Sequence, residues 1–246
     1  MHMIQRLITY SWLLLRTIFC YCCAAIVGLL FFVPCLVVAA CSTTENLLQN
    51  KRFFWLLDKM YRATIASFFL PIRMRGLEHM QAGPAIVVAN HESSLDIPVL
   101  GIVMQGRPHL WYAWVRFFST PVLGFLLRRM AMPVDCDHSM RAARSMIRGM
   151  ALAEQLSLYS VLFPEGGRYN SGKVNTFFAG FGILAKKLKQ PVIPVMLKNL
   201  GATYPPKSFL IYPHTIEVVV GEPMRPSEHE TDEAFVERVR NWFLQQ

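Results

Sequence analysis

Between Thr17 and Cys41 the chain carries no charged side chain, and only Pro34 interrupts the apolar run. A helix of this length covers the ~30 Å hydrocarbon core of a bilayer. That one stretch divides the chain in two: residues 1–70 read as a membrane-anchoring helical segment and 71–246 as a folded domain of its own. A signal peptide would be shorter and would end at small residues; Ala39-Ala40-Cys41 leaves a lipoprotein-like cleavage as the alternative. A second apolar-rich stretch, Phe53 to Leu70, has Lys51, Arg52, Lys59 and Arg62 in or beside it. It reads as an amphipathic helix at an interface. Either the first helix spans and the second lies on the surface, or the two form a hairpin in one leaflet. The basic residues after the apolar run place the C-terminal domain on the cytoplasmic side.

The chain has 246 residues, 53% of them hydrophobic, and a formal net charge of +9. The part beyond the leader suits one α/β domain with a full core. A basic, apolar protein points to an anionic membrane surface or to phosphate-bearing ligands such as coenzyme A. Nucleic acid is set aside, because neither zinc-finger spacing nor an RNA-recognition signature is present. The cysteines, Cys20, Cys22, Cys23, Cys35, Cys41 and Cys136, form no CxxC pair, so reduced thiols are expected and zinc or redox motifs are not.

From Ile72 onward strands alternate with helices. Strands are predicted at Ile72–Arg75, Ala85–Ala89, His109–Trp114, Met130–Val134, Leu158–Phe163, Val192–Leu197 and Ile216–Val220. Helices are predicted at Leu95–Gln105, Pro121–Arg129, Met140–Leu156, Phe178–Lys189 and Asp232–Phe243. The alternation specifies an α/β fold, a mixed sheet with helices on its faces, preceded by the apolar N-terminal helical segment.

The stretch Asn90-His91-Glu92-Ser93-Ser94-Leu95-Asp96 sits between an apolar strand and a helix. Residues five apart in a helix are rotated by roughly 140°, so His91 and Asp96 meet only if His91 lies on the loop and Asp96 in the first helical turn. Ser93 or Ser94 is then the expected N-cap, and Pro98 is tolerated in the first turn. In that arrangement Asp96 fixes the tautomer of His91 and stabilises its imidazolium. A bare His-x4-Asp also fits a capping histidine and an aspartate at the helix dipole.

A second polar turn, Phe163-Pro164-Glu165-Gly166-Gly167-Arg168, emerges from another strand end, where open α/β sheets bind ligands. Its glycines permit close backbone approach. Arg168 offers a donor fork suited to phosphate. Glu165 either accepts from a substrate hydroxyl or holds Arg168.

Taken in order, Asn90-His91-x-Ser93-x-x-Asp96, Phe163-Pro164-Glu165-Gly166-x-Arg168 and Val192-Ile193-Pro194-Val195 resemble the PlsC-type glycerolipid/lysophospholipid acyltransferase family. The resemblance runs from about Ile72 to Val220. It implies that His91 is a general base that deprotonates a lysolipid hydroxyl, with Asp96 orienting it. Attack on an acyl thioester follows, without an acyl-enzyme and without a metal. It further implies that Asn90, Ser93, Glu165, Gly166, Gly167 and Arg168 hold the glycerol phosphate, and that Val192, Ile193 and Pro194 line the acyl or acceptor pocket. The implied partners are membrane lipids, a lysophospholipid acceptor (1-acyl-sn-glycerol 3-phosphate above all) and acyl-CoA or acyl carrier protein as co-substrate, with no cofactor. The implied location is a bacterial inner membrane, facing the cytoplasm.

The chain departs from the family pattern in several places. Cys136 follows Val134-Asp135 where the family has Arg. Trp114 or Val115 stands for a Lys, Phe178 or Ala179 for another, and Gly167 for a Thr. Arg128, Arg129, Arg141 and Arg144 are the candidates to replace the lost phosphate cations; Arg148 shares the helix face of Arg141 and Arg144. The alternatives are a different lyso-acceptor, an acyl thioesterase in which His91 activates water, and a non-catalytic membrane-binding protein. His91-Glu92 is not HExxH, since position 95 is Leu, and Gly-x-Ser-x-Gly is absent. Trp111, Tyr112 and Trp114 read as core packing or interface anchors.

Overall fold

The computed structural model describes residues 2–80, 83–135, 137–169 and 174–246; Cys136, one of the family departures, lies outside them. The leader forms one long helical rod: α1 (His2–Val27), a π-helical turn at Gly28–Phe32, and α2 (Val33–Ala40). Pro34 has no N–H to give to the preceding turn, and the wide turn sits where that bond is missing. A short helix α3 (Thr44–Gln49) leads into α4 (Lys51–Ser67). Asn50 caps α4 by accepting the Phe53 N–H at 3.1 Å.

The interfacial reading of Phe53 to Leu70 needs correction. Phe53, Phe54, Leu57, Tyr61 and Ile65 are buried; from Phe54 on they recur every three or four residues and so form one stripe. That stripe packs on α5 (Asp96–Val103), so closely that a Cβ on Gly101 would lie 2.2 Å from the Tyr61 ring. The apolar face of α4 therefore belongs to the protein interior, and its basic residues face outward.

Seven strands form one sheet in the order β1-β7-β6-β2-β5-β3-β4. They are β1 (Ile72–Arg75), β2 (Ile86–Ala89), β3 (His109–Trp114), β4 (Ala131–Val134), β5 (Tyr159–Leu162), β6 (Val192–Lys198) and β7 (Ile216–Val220). All neighbours are parallel except β6 with β7, which run antiparallel. The sheet is thus mixed, as expected. The β2 residues are fully buried, the mark of a central parallel strand covered on both faces. The remaining helices are α6 (Pro121–Met130), α7 (Ser139–Gln155), α8 (Gly180–Leu188), α9 (Leu200–Thr203) and α10 (Asp232–Leu244). Met130 closes α6 instead of opening β4, and Leu95, Phe178 and Ala179 lie in turns before their helices. Of the predicted aromatic cluster, Trp111 and Tyr112 are core residues.

The rod does not stand away from the domain. Arg16 donates to the carbonyls of Ile211 (3.0 Å) and Phe68 (2.8 Å), and Thr17 Oγ1 accepts the Ile211 N–H at 3.1 Å. Tyr21 donates to the Phe209 carbonyl at 3.0 Å, and Cys35 and Ala39 are fully buried further along. The opposite face, including Leu7, Ile8, Trp12, Leu15, Phe19 and Ile26, is exposed and apolar.

Candidate active site

The carboxyl ends of three adjacent central strands, β6, β2 and β5, come together at one end of the sheet. His91 leaves the end of β2 and Asp96 opens α5, as the spacing argument requires. His91 Nδ1 lies 2.7 Å from Asp96 Oδ2. The same oxygen accepts the backbone N–H groups of Glu92 (2.6 Å) and Ser93 (2.8 Å). Asp96 is fully buried and can only accept from these amides, so Nδ1 is the protonated ring nitrogen and Nε2 carries the lone pair. The predicted serine cap is absent: Leu95 is the N-cap and makes no side-chain cap bond. Asp96 folds back over its own entry turn instead, closing that turn and orienting the histidine with one oxygen.

The imidazole is also held from its face. It stacks on Phe163, with ring centroids 3.9 Å apart and planes 11° apart, and Phe163 stacks on Trp111 at 6.1 Å. Behind Trp111 lies His109, whose full burial lowers its pKa to about 4 and keeps it neutral. These rings leave the His91 side chain 12% exposed.

Several residues expected to touch substrate turn out to build the loop. Asn90 is buried, donates to the Leu197 carbonyl at 2.9 Å and accepts the Leu197 N–H at 2.7 Å. Its amide thereby imitates one more residue of strand pairing and ties the His91 turn to β6. Ser93, also buried, donates to the Tyr204 carbonyl at 2.9 Å. Glu165 neither faces a hydroxyl nor holds Arg168. It is buried, Oε1 accepts the His91 N–H at 2.9 Å, and Oε2 accepts both the backbone and side-chain N–H of Asn175, each at 3.1 Å. Val192, Ile193 and Pro194 are buried strand residues that support the sheet beneath this turn. Polar side chains here pair with backbone atoms far off in sequence because a loop at a strand end has no ladder of its own.

Gly166 has φ +68°, and a Cβ there would lie 2.4 Å from the Phe178 ring. Glycine at that position lets the second motif turn beside the first; a Cβ on Gly167 would meet the Tyr169 ring at 3.0 Å. The turn delivers Arg168 to the site. Its Nε–H donates to His91 Nε2 at 3.2 Å and its Nη1 to Ser94 Oγ at 2.8 Å.

Three of the four candidate replacement cations are engaged elsewhere. Arg128 donates to the Phe118 carbonyl, Arg129 to the Ser42 carbonyl, and Arg141 pairs with Asp135 at 3.1 Å. Arg144 is exposed on α7. The cation that the sequence reading missed is Arg116. Its guanidinium lies 3.6 Å from the Trp114 ring centre and 5.2 Å from that of Phe117, and Arg168 lies 6.0 Å from the same Phe117 ring. The alternation Trp114-x-Arg116-Phe117 beside the Pro121 turn was the available signal. Glu92 accepts the Gly201 N–H at 3.2 Å, and burial pushes its carboxyl pKa up.

Chemically, the site offers one nitrogen lone pair, Nε2, backed by a carboxylate that stabilises the ring once it is protonated. It also offers an exposed guanidinium for an anion. Among the described residues no hydroxyl or thiol bonds His91, so the proton comes from a bound molecule.

A family profile described as Acyltransferase matches residues 71–198, just over half the chain. The chain belongs to that acyltransferase family. It is 26% identical over 184 residues to a chloroplastic 1-acyl-sn-glycerol-3-phosphate acyltransferase of Arabidopsis thaliana, covering 73% of this chain and 51% of the relative. Identity to a 1-acyl-sn-glycerol-3-phosphate acyltransferase of Pseudomonas aeruginosa is 26% over 153 residues, covering 61% of this chain and 58% of the relative. The chain spans about half the length of the plant relatives it matches. The crystal structure of the 1-acyl-sn-glycerophosphate acyltransferase PlsC from Thermotoga maritima superposes with a TM-score of 0.76 over 96% of this chain and 95% of that one, at 20% identity; the fold is shared.

Proposed function

We propose that the protein transfers an acyl group from acyl-CoA or acyl carrier protein to the free hydroxyl of 1-acyl-sn-glycerol 3-phosphate, giving phosphatidic acid. The observation that carries this reading is the His91–Asp96 pair, at 2.7 Å and with Nε2 directed outward, beside the Arg168 guanidinium. His91 Nε2 takes the hydroxyl proton as the oxygen attacks the thioester carbonyl. The C–S bond then breaks, and the same proton passes from Nε2 to the departing thiolate. Asp96 holds the imidazolium formed between the two steps. Holding the acceptor phosphate fixes the hydroxyl near both base and thioester, an orientation effect that can lower the barrier by several kcal/mol. The activity of the similar acyltransferases supports the acceptor, and the lack of a hydroxyl or thiol bonded to His91 among the described residues supports direct transfer.

The membrane part of the reading is an in-plane anchor. At 1.5 Å per residue the rod from Gln5 to Ala40 is about 54 Å long, and its contacts with the domain run from Leu13 to Ala39. Seating of the helix on the domain at several points along that length supports an orientation along the membrane rather than across its ~30 Å hydrocarbon layer. One face on the domain and one apolar face outward fit a helix lying in one leaflet. Lys51, Arg52, Lys59 and Arg62 at the membrane surface, on the cytoplasmic side of an inner membrane, complete this picture.

The test supplies labelled acyl-CoA or acyl carrier protein, with a panel of lyso-acceptors, to membranes holding wild type or His91→Ala. Labelled phosphatidic acid that disappears in His91→Ala is the expected result. Label in free fatty acid would replace transfer by thioester hydrolysis. Label only in acceptors lacking a phosphate monoester would change the substrate class. Equal activity of both proteins would remove His91 as the base.

A further inference from the structure

Nδ1 of His91 is tied to Asp96, so Nε2 is the one lone pair the ring can use as a base. Arg168 occupies it. A guanidinium donates and never accepts, so the 3.2 Å contact from Arg168 Nε is a hydrogen bond into that lone pair. A proton cannot enter while the bond stands. We propose that Arg168 is a phosphate-operated cover on the base: it holds His91 inactive until the phosphate of the acceptor draws the guanidinium away. This rests on the reading of His91 as the base.

Three observations support release by an anion. First, among the described residues the guanidinium bonds the unprotonated Nε2 of an imidazole and the Ser94 hydroxyl, and no carboxylate pairs with it. A phosphate offers the planar fork two charged acceptors at once and outcompetes both neutral ones. Second, Arg168 is exposed and sits at the rim of the site, where it can turn without repacking the core. Third, Arg116 and Arg168 approach the same Phe117 ring, at 5.2 and 6.0 Å, and Arg116 also has no carboxylate partner among the described residues. Both cations border that ring, so an anion that draws Arg168 off His91 toward Phe117 meets a second guanidinium on the same aromatic group.

The consequence is selectivity in turnover as well as in binding. Water reaching a bound acyl thioester finds no free base, so the thioester survives until an anionic acceptor arrives. The acceptor's charge then acts on kcat, because it switches the base on.

The test follows carbethoxylation of His91 by diethylpyrocarbonate, which attacks unprotonated imidazole nitrogen, in full-length protein in detergent. Peptide mass spectrometry reads the rate, and exposed His214 serves as the internal reference. Wild type should label slowly at His91, and inorganic phosphate or glycerol 3-phosphate should speed it about tenfold, in proportion to the uncovered fraction. Arg168→Ala should label fast without phosphate and ignore its addition. It should also hydrolyse acyl-CoA faster than wild type when no acceptor is present, while transferring more slowly. Equal His91 labelling in wild type and Arg168→Ala overturns the proposal. So does acceleration by neutral glycerol equal to that by glycerol 3-phosphate, or acceleration by coenzyme A alone, which would assign the trigger to the donor. Failure of the base reading is separate: His91→Ala would then keep acyl transfer, whatever the labelling shows.

Discussion

Glu165→Gln tests whether the second motif acts on the first or on substrate. The carboxyl group accepts three N–H donors, one from His91 and two from Asn175. Glutamine keeps one acceptor oxygen and turns an NH2 toward the other side. The arrangement that loses least leaves the oxygen with Asn175 and sets the NH2 against the His91 N–H. The lost charge-assisted bond is worth about 1.5–3 kcal/mol, and an unsatisfied buried donor costs about 1–3 kcal/mol. Because the loop can shift to relieve part of this, a loss of about 2–4 kcal/mol is expected. A chain of this size has about 5–15 kcal/mol of stability, so it stays folded. At roughly 2–4 °C per kcal/mol, Tm should fall by about 10 °C. The relief comes from moving His91 off the Asp96 carboxylate, so kcat should fall about a hundredfold, within the range attributed to a general base. Acceptor KM should hardly change, since Glu165 does not face the open site. Thermal unfolding and initial-rate kinetics in detergent give all three numbers. An unchanged kcat and Tm with a raised acceptor KM would refute this reasoning and return Glu165 to the substrate.

Other outcomes follow from single contacts. His109 is buried neutral with its pKa lowered to about 4, so the unfolded chain binds the proton more readily; stability should fall as pH drops from about 6.5 toward 4, and His109→Phe should flatten that slope in denaturant titrations. Gly166→Ala meets the Phe178 ring at 2.4 Å with φ at +68°, so at least tenfold of kcat should be lost, in line with the ~1–3 kcal/mol such backbone strain costs; an active, equally stable variant would disprove the need for glycine. Leu15→Glu with Phe19→Glu charges the exposed face of α1, and should move the protein from membrane pellet to supernatant in a sedimentation assay while leaving its fold intact by circular dichroism.

The sequence showed the strand–helix alternation and placed His91 on a loop with Asp96 in the first turn, because both follow from local periodicity and spacing. What it could not show is held by partners far along the chain. The Asn90 partner is the backbone of Leu197, the Glu165 partners lie at positions 91 and 175, and Ser93 reaches Tyr204. A polar residue in a motif looks the same whether it faces a ligand or a distant carbonyl. The serine cap failed for a related reason: the longer-reaching Asp96 satisfied those amides first. The face of α4 was ambiguous because an amphipathic stripe does not say whether protein or lipid covers it, and Gly101 opposite Tyr61 settles that only in three dimensions.

The seating of α1 has a practical consequence. Tyr21 bonds the Tyr204 hydroxyl at 3.2 Å, and the Tyr204 carbonyl takes the Ser93 hydroxyl one turn of chain from His91. Arg16 and Thr17 complete the backbone bonding of Ile211 in the same connection. Cutting the leader away to obtain a water-soluble catalytic fragment would strip partners from the 204–211 connection and from the Phe68 carbonyl, and would bare the seat the rod occupies. The N-terminal rod is part of the tertiary structure, so crystallisation or inhibitor screening calls for the intact chain, with detergent or nanodiscs to cover its exposed apolar face.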